Sequence, residues 1–115
     1  MPMPFWASVG VNWADRAAVE SAVQDWVHNL KLLPTVQRVI WYGSWIAGTP
    51  GPRSDVDICL IVSDAAPTQR DRASQFLPVG FPTGIDLVVF TAAEWGRLSD
   101  VAPAWHAAIA AGREL

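Results

Sequence analysis

Asp55, Asp57 and Asp86 are the residues of this chain whose type and spacing could do chemistry. Asp55 and Asp57 open the apolar run DVDICLIV. In an extended strand, side chains two residues apart share a face and sit roughly 7 Å apart, at about 3.3 Å per residue. Two carboxylates held there beside a core raise each other's pKa and weaken the fold. A divalent cation removes the conflict, and Mg²⁺ favours one or two carboxylates completed by phosphate oxygens and water. Asp86 lies in a second apolar run, IDLVVF, and supplies a third oxygen ligand if that strand lies beside the first. Three carboxylates with one or two metal ions can orient an attacking hydroxyl and offset charge at a phosphate, and the third can take the hydroxyl proton. A solvated loop edge also produces Asp-x-Asp at a strand start, so the flanking residues decide between the two readings.

Those flanks favour a phosphate ligand. Gly43-Ser44 follows the apolar run VQRVIWY and opens the loop GSWIAGTPGPRS, which ends at Ser54, directly before Asp55. A glycine there lets the backbone turn sharply and approach a ligand, and the freed N–H groups can hold phosphate oxygens. Ser44 adds a hydroxyl donor. The same stretch begins like a Walker A loop, but Thr49 stands where that loop requires lysine. Trp45, inside the turn, reads either as core or as a surface for a nucleotide base or a partner protein.

Elements that would position these residues follow from periodicity. Val19, Ala22, Val23, Trp26, Val27, Leu30 and Leu33 recur at helical spacing, so a helix is predicted over 14–33, stopped by Pro34. Residues 36–42 read as a strand covered on both faces, with a short helical turn at 44–47. Residues 55–62 form a second strand and 85–90 a third, joined by a polar connection with a helix around 68–77. Thr91 and Glu94 have the spacing of a capping box, and Pro103 to Ala111 reads as a last helix closed by Gly112. Cys59 falls inside the second strand and reads as a small buried hydrophobe.

Bulk properties narrow the function. At 115 residues the chain suits one domain, 1–115, with a thin stability margin that a second subunit would help. The net charge is −3 and the eight basic residues are scattered, which argues against a nucleic-acid groove. One cysteine and no zinc ligand set exclude disulfide and zinc scaffolds. Met1 to Pro4 lacks the basic start of a secretory signal, and no apolar stretch approaches a membrane span, so a cytoplasmic protein is expected.

Gly43-Ser44, Gly48, Ser54-Asp55-Val56-Asp57-Ile58 and Ile85-Asp86-Leu87 together resemble the signature of the polymerase-β-type nucleotidyltransferase superfamily. Within it, the small size and the ending Ile109-Ala110-Ala111-Gly112-Arg113-Glu114-Leu115 are similar to the MNT-type minimal nucleotidyltransferases. The resemblance implies an α+β fold, a small mixed sheet flanked by helices. It also implies Mg²⁺, ATP or another nucleoside triphosphate, and transfer of a nucleoside monophosphate to a hydroxyl. Asp55, Asp57 and Asp86 would be the metal ligands, with Asp86 the candidate base. Gly43 and Ser44 would hold the triphosphate, and Ser54 would support the loop. MNT-type proteins typically act as antitoxins on a HEPN-domain partner, which they adenylylate; a homo-oligomer could complete the acceptor site instead. Trp45, Ile46 and Ala47 stand where many of these proteins carry arginines, with Arg53 the nearest substitute. Two alternatives therefore stand beside the enzyme reading. One is a binding module that neutralises a partner without turnover; the other is a transferase acting on a small molecule such as an aminoglycoside.

Overall fold

The computed structural model describes residues 13–48 and 55–115, with side chains from Arg16 onward. Helix α1 spans Trp13–Lys31, strand β1 Val36–Tyr42, helix α2 Ser44–Ala47 and strand β2 Val56–Val62. Helix α3 (Gln69–Ser74), strand β3 (Ile85–Thr91), helices α4 (Ala92–Val101) and α5 (Pro103–Ala110), and the short strand β4 (Arg113–Glu114) follow. The sheet runs in the order β3-β2-β1-β4, with β2 and β3 parallel and the other pairs antiparallel. This is the expected small mixed sheet flanked by helices. No helix among the described residues is long and apolar enough to cross a membrane.

Period-two alternation divides the core into two layers. Val39 and Trp41 of β1, Val56, Ile58, Leu60 and Val62 of β2, and Val89 of β3 face α1, where Val19, Val23, Trp26, Val27 and Leu30 meet them. Trp45 of α2 joins this layer at 2% exposure, so it is core and offers no face to a base. On the other side, Ile40, Cys59, Ile61, Val88 and Phe90 pack on Leu98 of α4 and Ile109 of α5. β2 is therefore buried on both faces, as its unbroken apolar run requires.

Two boundaries differ from the sequence reading. Helix α1 ends at Lys31, and Leu32 and Leu33 continue it only as turns bonded to Asn29 and Leu30. Leu33 precedes Pro34, which disfavours helical backbone there, and it is 41% exposed, not core. At the other end, Gly112 leads straight into β4, which pairs with Ile40 and Trp41. A Cβ at Gly112 would fall 2.6 Å from the Trp41 carbonyl oxygen and 2.8 Å from Tyr42 Cβ. A glycine is therefore needed for the chain to lie this close to β1.

β3 is an edge strand, and its exposed backbone is covered by side chains of the crossover. Gln69 both donates to the Val89 carbonyl (2.7 Å) and accepts from the Val89 N–H (3.0 Å). Arg72, only 7% exposed, donates to the carbonyls of Val89 (2.8 Å) and Ala66, and forms a fork with the Glu94 carboxylate at 2.7 and 3.2 Å. Glu94 also closes the capping box with Thr91, as the spacing predicts. The Arg72 guanidinium and the Thr91 backbone N–H hold the Glu94 carboxyl down at about 2. Its pairing energy is therefore complete above the ordinary glutamate range and lost as pH falls toward 2. Glu94→Ala should cost roughly 2–3 kcal/mol at pH 7, less than a fully buried pair because the carboxylate is one third exposed. Urea unfolding should show the gap between wild type and variant shrinking as pH falls below 4.5.

Candidate active site

Tyr42, Asp57 and Asp86 are successive register partners across β1, β2 and β3. Adjacent strands lie about 4.8 Å apart, so the three side chains stand in one row across the sheet. Asp57 has the parity of Cys59 and Ile61, and Asp86 that of Val88 and Phe90, so both project on the α4/α5 face. They sit where the apolar layer ends: Asp57 is half-buried, Asp86 exposed. Asp55 stands just before β2, on the same face one pleat away and level with Gly84, whose carbonyl accepts the Val56 N–H at 2.9 Å. Asp57 and Asp86 are thus brought together directly, with Asp55 beside them. Among the described residues, no three acidic, histidine or cysteine side chains close into a preformed metal cluster.

Two glycines make room for this arrangement. Gly43 has φ +85° and ψ −160°, a region only glycine enters without strain, and the turn of the chain into α2 depends on it. A Cβ there would collide with the Asp57 carboxylate, 2.9 Å from its Cγ. A Cβ at Gly84 would collide in the same way with Asp55, again 2.9 Å from Cγ. Each carboxylate therefore rests against bare backbone. Ser44 follows as the first residue of α2, whose Ala47 N–H returns to the Gly43 carbonyl at 3.0 Å. Ser54 and Arg53 lie outside the described residues.

The electrostatics match the geometry. Burial, then the charges of Asp86 and Asp55, push the Asp57 carboxyl up to about 6. A carboxyl raised in the folded state favours the fold below its unfolded value of 3.8, and that contribution is lost as pH rises through about 6. At neutral pH the ionised cluster thus works against folding. Burial, followed by the charges of Asp57 and Asp86, drives Tyr42 up to about 12, so its hydroxyl stays protonated. Burial also pushes the Cys59 thiol up to about 12, which removes it as a nucleophile. A hard divalent cation fits this donor set: the ligands are carboxylate oxygens, Asp55 and Asp86 act to raise the Asp57 carboxyl, and both glycine cradles leave the carboxylates unobstructed.

The mixed sheet flanked by helices is of the nucleotidyltransferase class of fold. The sequence profile of the nucleotidyltransferase domain matches residues 27–102, which take in every site residue named above. The chain belongs to that family, and its class of reaction is nucleotidyl transfer. Comparison with curated proteins gave no match. Among solved structures, the fold is similar to a crystal structure of a protein assigned as a nucleotidyltransferase from Sulfolobus solfataricus. The TM-score is 0.55 at 20% identity, over 73% of this chain and 77% of that one.

The three aspartates stand at the ends of β2 and β3 as their strand pattern predicts, whereas Tyr42 and Gly84 beside them carry no such pattern. Tyr42 carries a signal, since it directly precedes Gly43 on a strand, but its place beside Asp57 depends on antiparallel register. Gly84 stands between Thr83 and Ile85 and looks like an ordinary turn residue. The two cradles separate stability from function. Gly43→Ala should cost about 1–3 kcal/mol in thermal or urea unfolding, because it adds backbone strain to the collision. Gly84→Ala meets only a movable side chain, so stability should change by less than about 1 kcal/mol. Displacing Asp55 should nonetheless lower nucleotidyl transfer roughly 10- to 100-fold, measured under saturating Mg²⁺.

Proposed function

We propose that this protein transfers a nucleoside monophosphate, AMP from ATP, to a hydroxyl of a protein acceptor, with Mg²⁺ held by Asp55, Asp57 and Asp86. The observation that carries the reading is the row of Asp57 and Asp86 in adjacent strands, with Asp55 one pleat away and the Asp57 carboxyl pushed up to about 6 by burial and by its neighbours. When bound, Mg²⁺ supplies charge neutralisation at the phosphates and a fixed geometry for attacking and leaving oxygens.

The chain's own groups do the rest. Gly43 and Ser44 present backbone N–H groups and a hydroxyl toward the β- and γ-phosphates at the end of β1. Asp86, exposed at the outer end of the row, accepts the proton of the incoming hydroxyl. The acceptor oxygen bonds to the α-phosphorus as the bond to the bridging oxygen breaks, and pyrophosphate leaves. Asp57, half-buried between Tyr42 and Asp86, is the least hydrated of the three and anchors the cluster. Asp55 and Asp86 are both open to solvent, which leaves the acceptor side to be completed by another chain, either a HEPN-type partner in an antitoxin-like pair or a second copy.

One observation favours a second reading. Helix α2, Ser44–Ala47, carries no basic side chain to meet a phosphate. A module that binds a partner without turnover would tolerate that loss. Incubation with α-labelled ATP, Mg²⁺ and a co-purified partner separates the two. Label should enter the partner protein, disappear with EDTA, and fall at least about 100-fold in Asp55→Asn or Asp57→Asn. Label appearing on an aminoglycoside-type small molecule instead would replace the acceptor and keep the reaction. No transfer by wild type, or equal transfer by the asparagine variants, would contradict the enzyme reading.

A further inference from the structure

We propose that Trp105 is the platform on which the base of the bound nucleotide stacks, and that Tyr42 positions it. The inference rests on nucleotide binding at the three aspartates, proposed above, and adds where the base lies. Trp105 sits on α5, which packs on the face of the sheet that carries Asp57 and Asp86. Its side chain lies beside that of Tyr42, the register partner of Asp57, with the indole N–H as the only donor it can offer. Its ring also packs on Phe90, with centroids 5.4 Å apart at 74°. Phe90 lies four residues beyond Asp86 on the same strand and face, about 13 Å along the sheet. Trp105 therefore stands between the acidic row and the apolar layer, within reach of a base whose phosphates occupy the row.

Structural packing does not account for this residue. Trp26, Trp41 and Trp45 are held at 6%, 2% and 2% exposure, whereas Trp105 leaves 43% of its surface open. Phe90 holds the ring edge-to-face and Tyr42 lies alongside, and neither covers it. A rigid, half-open aromatic ring beside a phosphate site is what base stacking uses, and stacking tolerates any base because each presents a π-face. Gly112 contributes indirectly, since the close approach it permits sets the backbone beside Tyr42 Cβ. Tyr42 is a positioning residue here, because it would act through Trp105.

Calorimetry with two probes in the presence of Mg²⁺ tests the assignment: ATP, and inorganic tripolyphosphate, which has no base. Wild type should bind ATP more tightly than tripolyphosphate. Trp105→Leu keeps apolar bulk but has no π-face; it should weaken ATP roughly 5- to 150-fold and leave tripolyphosphate unchanged. Trp105→Phe should keep most of the ATP affinity. Tyr42→Phe should produce a smaller loss of ATP affinity, again without effect on tripolyphosphate. If tripolyphosphate binds and Trp105→Leu leaves ATP affinity intact, or weakens both probes equally, the platform is refuted while the aspartate site stands. If wild type binds neither probe, the aspartate site fails and the platform with it.

Discussion

The register of β2 is the constraint on which the rest of this structure depends. Val56, Ile58, Leu60 and Val62 must face α1, while Cys59 and Ile61 must face α4 and α5. A slip of one residue would exchange the two sets and drive Asp57 into the layer under α1. With the register fixed by apolar burial, Asp57 has nowhere else to point, and its neighbours follow. β1 delivers Tyr42 on one side and β3 delivers Asp86 on the other. Hydrophobic packing thus part-buries Asp57 and sets like charges against it, and the cost appears as its raised pKa. In the proposed reaction a bound cation would turn that cost into affinity, because the ion would meet ligands already brought close and partly desolvated.

Holding Asp86 in place is a separate problem, since β3 has a neighbour on one side only. Gln69 and Arg72 solve it by bonding the Val89 backbone from the open side, and Glu94 anchors Arg72. The crossover is fastened in turn to α1, where the Trp26 indole donates to the Phe76 carbonyl at 2.8 Å and packs edge-on to Phe81. These contacts lie away from the aspartates, yet they fix the strand that carries Asp86. The site is therefore supported by a polar lock on one edge of the sheet and by the apolar layers beneath and above it.

Local patterns made much of this readable in advance. The alternation in VQRVIWY, the Thr91–Glu94 capping box and the Ser44–Ala47 turn are short-range features, and each lies where its residues predicted. The family signature runs through the same short segments, which is why the family was legible from them. What was not legible depends on contacts between distant segments. Arg72 looks like a surface residue in a polar connection, and only the open edge of β3 gives it reason to be buried. β4 is two residues long and exists because Gly112 lets the chain reach β1. Trp45 could serve as core or as a ligand surface until α1 was seen to cover it. Tyr42 and Trp105 belong to the site face only through register and helix packing, neither of which a linear pattern contains.

Three aspartates held together in a part-buried row, a strain that Mg²⁺ and a triphosphate would relieve, are the centre of the proposed reaction. Carboxyl-carbon NMR titration of Asp57, assigned with the Asp57→Asn variant, measures this directly. Without cation the group should titrate near 6, and with Mg²⁺ and a nucleoside triphosphate its midpoint should fall below the ordinary aspartate value of 3.8. A midpoint already near 3.8 in the cation-free protein, or one that Mg²⁺ and nucleotide leave unmoved, would contradict the account.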